Sequence, residues 1–339
     1  MRGLLVVCVA IGLFAMSCGN STTDGIAPVA DSTAMIPGYK QLDSLTKLLD
    51  ASPNNTDLLN ERAKLFLKVG ELNFALADIG RAILLDSSKA DYFLTIADVY
   101  FQRNEPKLCL KSLEVAKGLE PKNVEPLYKL AQFNLYIDKH QESMALANDM
   151  LRIDAQDDRP FVIKALCYKA MKDTTKAIEN YMLAAEQNPD NFDAQMELGI
   201  LHWARKGQLA ESFLKNALAI RPDATEALYA LGVVYQDAEK LDDALATYSQ
   251  VTRVDSTYSA AYFNMGYIQQ QYLQNFDEAL AHFNKAVAAS PRYYQAIYMR
   301  GLCYESKGDK LKAKNEYASA LAIEPAYDKA LAGMKRVQR

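Results

Sequence analysis

Histidine and cysteine are scarce in this chain, with three and five copies in 339 residues. No Cys-x-x-Cys, His-Glu-x-x-His or haem-attachment pattern occurs, and no glycine-rich phosphate loop is present. His140, His202 and His282 stand far apart, so a metal or acid–base centre would have to draw on scattered positions. The expectation is a non-enzyme with no catalytic residue, metal or cofactor. Only 15 glycines and 11 prolines accompany 50% apolar residues, which excludes a collagen-like chain and wholesale disorder. Charge of one sign is lacking too. The 38 basic and 42 acidic residues leave a net −4, and nothing in that balance favours nucleic acid as a partner.

One long hydrophobic run exists, from Leu4 to Met16, and it is too short to span a bilayer comfortably. It follows Met1-Arg2 and precedes Ala15-Met16-Ser17, the layout of a secretory signal over residues 1–17. Cys18 comes next, followed by the polar stretch Gly19 to Asp24. This arrangement resembles a bacterial lipoprotein, in which that cysteine becomes the lipidated first residue. Ala15 departs from the leucine usual in the lipoprotein box, and Ala15 with Ser17 would also suit ordinary signal peptidase at the same bond. Residues 18–37 are rich in Ser, Thr, Gly, Ala, Asp and Pro and read as a lipid-anchored flexible tether.

Beyond the tether a single pattern recurs. In Tyr294–Tyr327, apolar or small residues fall at Ile297, Gly301, Cys303 and Tyr304. After Gly308-Asp309 they resume at Leu311, Ala313, Tyr317, Ala320, Leu321 and Ile323, and Pro325 closes the unit. Each half has the spacing of an amphipathic helix and is too short to be stable alone. Two such helices form a hairpin with one uncovered face, which the next copy covers. Gly301 and Ala313 sit at the helix crossing, and Ala320 where the second helix meets the next unit, because small side chains permit close approach. A 34-residue unit with Gly or Ala at position eight, Ala at twenty and twenty-seven and Pro at thirty-two resembles the tetratricopeptide repeat (TPR).

That resemblance implies an all-α, right-handed α-solenoid. Its eight units are 56–89, 90–123, 124–157, 158–191, 192–224, 225–258, 259–293 and 294–327. A half-repeat helix over 38–53 precedes them, with Tyr39, Leu42, Leu45, Leu48 and Leu49 as its apolar stripe, and a capping helix over 328–339 follows. Cys109, Cys167 and Cys303 occupy slots for small apolar side chains in repeats two, four and eight, too distant from each other for disulfides.

In such arrays the second, fifth, ninth and twelfth residues of each first helix line a concave groove. Here those positions supply Tyr128, Met196, Trp203, Tyr229, Phe263, Tyr267 and Tyr298. Aromatic anchors with a polar rim suit a protein or peptide partner, although a fifth-position Tyr also packs against its neighbours. The carboxylate clamp of some TPR domains, Lys at position five with Asn at nine, is missing. The combined expectation is a non-catalytic adaptor or scaffold, held to the membrane through an N-terminal lipid and most simply facing the periplasm from the outer membrane. Lipoproteins of this type serve envelope assembly, secretion or peptidoglycan maintenance. The alternative is a periplasmic binding protein that takes a small molecule or glycan in the apolar groove.

Overall fold

The computed structural model describes residues 37–338. The expected signal peptide, the tether and the lipidation site Cys18 lie outside the described residues, apart from Pro37. Among the described residues all regular structure is helical, as expected for an α-solenoid. A leading helix, α1 (Pro37–Ala51), is followed by eight antiparallel hairpins. They pair α2 (Thr56–Lys68) with α3 (Leu72–Leu85), α4 (Ala90–Gln102) with α5 (Pro106–Leu119), and α6 (Val124–Tyr136) with α7 (His140–Ile153). The middle pairs are α8 (Arg159–Ala170) with α9 (Thr174–Gln187) and α10 (Phe192–Ala204) with α11 (Ala210–Ile220). The last three are α12 (Thr225–Asp237) with α13 (Leu241–Val254), α14 (Ser259–Gln271) with α15 (Phe276–Ala289), and α16 (Tyr294–Ser306) with α17 (Lys310–Ile323). Helix α18 (Asp328–Val337) closes the array.

The crossings explain the small residues. Position eight is Ala63, Ala97, Ala131 and Ala165 in the first four repeats, all buried, and glycine in the last four. A Cβ on Gly301 would lie 2.6 Å from Cε1 of Tyr317, and one on Gly232 2.6 Å from Cε1 of Tyr248. The aromatic ring of the second helix therefore rests on the bare backbone of the first. Ser143 takes the twentieth position of the third repeat, where most other repeats have alanine. It is fully buried, and its hydroxyl donates to the Ala131 carbonyl oxygen at 2.8 Å, which satisfies the polar group the substitution introduces.

Every hairpin turn places one residue in the left-handed region. Gly70 and Gly308 do so in the first and last repeats, and Asn104, Asp138, Lys172, Lys206, Glu239 and Gln274 in those between. The apolar stripe of α1 is narrower than expected. Leu42 and Leu49 are buried, but Leu48 is 52% exposed, because one step of the helix beside Leu49 turns it off the face that meets α2. At the other end Ala330, Gly333 and Val337 of α18 are buried, while Lys329, Lys335 and Arg336 lie on its exposed side.

Consecutive first helices approach one another, α2 to α4, α4 to α6, α6 to α8, α10 to α12, α14 to α16 and α16 to α18. Consecutive second helices make no comparable approach. The first helices thus form the inner wall of the curve, and their outward positions line the groove.

Candidate functional site

The inner wall changes character along its length. In the first half it is polar and internally paired. Asn60 Nδ2 and Lys64 Nζ both donate to Oδ2 of Asp91 on the next first helix, at 2.6 and 2.9 Å. Lys129 Nζ donates to both carboxylate oxygens of Asp98 at 2.8 Å. Arg159 bridges Glu125 and Asp157, each at 2.8 Å, with its guanidinium 5.0 Å from the Tyr128 ring centroid. Lys169 Nζ holds Glu197 at 2.6–2.7 Å. Such half-exposed pairs add little stability, but they neutralise the wall and fix neighbouring repeats in register.

From repeat five onward aromatic rings take over. Trp203 is half-buried against the cluster containing Leu228, Leu231 and Val233, and its Nε1 donates to Asp237 Oδ2 at 2.7 Å. Position five then packs its ring against that of the last residue of the same repeat three times running, tilted, stacked and edge-on in turn. Tyr229 meets Tyr258 at 5.1 Å between centroids, Phe263 meets Tyr293 at 5.1 Å, and Tyr298 meets Tyr327 at 5.3 Å. Burial raises the phenol pKa of Tyr229 and of Tyr293, and pushes that of Tyr258 up to about 12, so these hydroxyls stay neutral hydrogen-bonding groups.

The seven groove positions therefore differ in accessibility. Tyr128, Met196, Trp203, Tyr229, Phe263 and Tyr267 are half-buried on the inner wall. Phe263 and Tyr267 stack at 6.5 Å, and Tyr267 meets the exposed Tyr272 edge-on at 6.3 Å. Tyr298 is only 8% exposed, packed between Tyr317 and Tyr327 where α18 covers the last hairpin. Its place at the end of the array makes it a packing residue.

The structure also forms a feature that position counting reached only through Phe101, the twelfth residue of its repeat. A well of ≈ 320 Å³ opens between α4 and α6, floored by Ala97, Cys109, Leu113 and Phe133. Phe101 and Tyr136 stand at it, 45% and 61% exposed, with ring centroids 5.0 Å apart. Tyr136 is the thirteenth residue of its repeat, outside the groove positions, and only its size and place at a helix end could have drawn attention to it.

The remaining reactive side chains are quiet. Cys109, Cys167 and Cys303 are buried free thiols, and burial pushes Cys109 up to about 11 and Cys303 up to about 12. The histidines are half-buried. Burial lowers the pKa of His202 and His282, which favours neutral rings. Among the described residues no three His, Cys, Asp or Glu side chains converge as metal ligands would.

Known proteins share this architecture. Family models for the tetratricopeptide repeat match residues 159–191, 204–265 and 270–333. The chain is 22% identical over 313 residues to the human mitochondrial import receptor subunit TOM70, covering 84% of this chain and 48% of the relative. It is 24% identical over 262 residues to the peroxisomal targeting signal receptor of Candida albicans, covering 73% and 43%. The chain thus spans about half the length of these curated relatives. Among solved structures, the C-terminal part of a TPR repeat-containing protein from Cytophaga hutchinsonii superposes with a TM-score of 0.57 at 16% identity, over 70% of this chain and 98% of that one. With matches reaching from the fourth repeat to the cap, and hairpins of the same build before them, the chain belongs to the tetratricopeptide repeat family.

Proposed function

We propose that this protein is a non-catalytic adaptor, anchored to the membrane through lipid on Cys18, that holds a protein partner in its concave groove. The observation that carries the reading is the inner wall of repeats five to seven. Trp203, Tyr229, Phe263 and Tyr267 stand there half-buried on rigid helices, so a partner gains contact area while the protein loses little side-chain entropy. Two relatives are named as receptors, one in mitochondrial import and one for peroxisomal targeting signals, and such work is protein binding. A lipid at Cys18 would raise the effective concentration of partners in the same membrane. Envelope assembly, secretion and peptidoglycan maintenance are the settings this arrangement suits, facing the periplasm from the outer membrane.

The test is crosslinking and co-purification from the native membrane, comparing wild type with a Trp203→Ala/Phe263→Ala variant. One complex present with wild type and lost in the variant supports the groove. The same proteins recovered with both place the contact on another face. Separately, Cys18→Ala should release the protein into the soluble fraction, and continued membrane attachment would overturn the anchor.

The well beside Phe101 and Tyr136 favours a second reading. Its ≈ 320 Å³ lies at the small end of ligand pockets, about 300–1,000 Å³. A glycan or small apolar molecule that raises the melting temperature of wild type, and of a Leu113→Phe variant much less, would favour that reading.

A further inference from the structure

We propose that Trp203 and Asp237 together form a receptor for an arginine side chain of the bound partner. The inference rests on the groove-binding reading and gives the partner a chemistry. Asp237 is the last residue of α12, where the aligned peptide dipoles already make the helix end negative and where a basic residue would be the favoured choice. It is exposed, and none of the ion pairs among the described residues includes it. The nearby Lys240 is committed to Glu211 at 2.7 Å. Arg205 and Lys206, which follow Trp203 in the hairpin turn, are exposed and make no ion pair with Asp237. Glu239, two residues beyond Asp237 and also exposed, adds charge of the same sign. The carboxylate therefore stands without a counter-ion among the described residues, at a helix end whose dipole opposes it.

What fixes Asp237 is neutral. The indole Nε1 of Trp203 donates to Oδ2 at 2.7 Å, and no described hydrogen bond uses Oδ1. One part of the indole packs on the cluster around Leu228 and Leu231, and the rest stays open to solvent. An aromatic platform thus stands beside a positioned carboxylate with a spare oxygen. Tryptophan is the best aromatic partner for a cation, and a planar guanidinium can stack on the ring while donating to the carboxylate. Lysine would supply charge without the stacking plane, so arginine is the better fit.

Because Trp203 is the only tryptophan in the chain, its emission reports on this site alone. The experiment titrates the purified protein with N-acetyl-argininamide and, in parallel, with the uncharged isostere N-acetyl-citrullinamide. Asp237→Asn is the matched variant, since an asparagine oxygen still accepts the indole N–H while the charge is gone. A far-UV melt confirms that it folds. The expected result is a saturable emission change with the arginine probe only, in the millimolar range, weakened by salt and at least tenfold weaker in Asp237→Asn. An equal response to citrulline, or unchanged arginine binding in Asp237→Asn, would overturn the proposal. If the partner co-purifies through the groove while the arginine probe fails to bind, this inference falls and the groove reading stands. If the probe binds as expected while no partner depends on the groove, the site stands and the adaptor reading falls.

Discussion

The hydroxyl of Tyr248 donates to Oε1 of Gln236 at 3.0 Å and accepts from Nδ2 of Asn264, also at 3.0 Å, so one phenol ties the inner helices of repeats six and seven to the second helix between them. The equivalent Tyr317 in repeat eight donates to Glu305. Repeat seven breaks the series. Phe283 fills the slot, and Gln270, 5% exposed, is left with Oε1 buried and unpartnered. Phe283→Tyr should supply the missing donor and raise stability by about 0.5–1.5 kcal/mol in urea melts. Tyr248→Phe should do the reverse, costing about 1–3 kcal/mol because the half-buried Gln236 Oε1 loses its phenol donor and the buried Asn264 amide keeps only its bond to the Tyr229 hydroxyl. A lower midpoint for Phe283→Tyr would mean that the hydroxyl has no room beside Gln270.

Small residues at the crossing are a steric demand and can be tested as one. A methyl group on Gly301 would approach the Tyr317 ring to 2.6 Å, and that ring is walled in by Gly333 of α18 on its other side. Gly301→Ala is expected to destabilise the last hairpin by about 1–3 kcal/mol, despite the better helix propensity of alanine. Pairing it with Tyr317→Leu should recover part of the loss. An unchanged urea midpoint for Gly301→Ala alone would show that the hairpin yields at little cost.

The hairpin turns carry strain that glycine would relieve. Lys172, Lys206 and Glu239 adopt φ of 62°, 55° and 57° in the place taken by Gly70 and Gly308 elsewhere. A left-handed conformation costs an L-residue about 1–2 kcal/mol, while glycine adds about 0.5–1 kcal/mol of unfolded-state entropy. Each substitution to glycine is therefore expected to gain up to about 1 kcal/mol, and the three together to raise the melting temperature additively, since the turns lie in separate repeats. Lower thermal midpoints for the single variants would show that entropy outweighs strain.

These turns also mark how far the sequence could be read. Gly308-Asp309 is visible as a break, and the alanines and glycines at the crossings are visible because backbone contact tolerates nothing larger. Lys172 and Glu239 carry no such signature, since their conformation is imposed by the hairpins they join. The groove was legible only in part. Counting positions found Trp203 and Phe263, which the structure leaves on the inner wall. It could not show that α18 buries Tyr298, that Asp91 draws in Asn60 and Lys64, or that Phe101 and Tyr136 flank a well. Each depends on how far one repeat rotates against the next, a quantity set by packing across the interface rather than by any residue alone.

Acid should reveal the contact that ties repeat five to repeat six. Hydrogen bonds from Lys215 and Lys240, each at 2.7 Å, hold the Glu211 carboxyl well below its ordinary 4.5, at about 2. The folded value is depressed, so the unfolded chain binds the proton first as pH falls. The contribution is fully present above about 4.5 and is lost as pH drops through the folded value near 2. With the side chain 29% exposed and the lysines more so, it amounts to roughly 1 kcal/mol or less. Glu211→Gln should therefore be less stable than wild type at pH 7, and the gap should narrow between pH 4.5 and 2. Urea melts across that window would measure it. A gap that stays constant with pH would assign the loss to packing of the Glu211 side chain, with its charge making no difference.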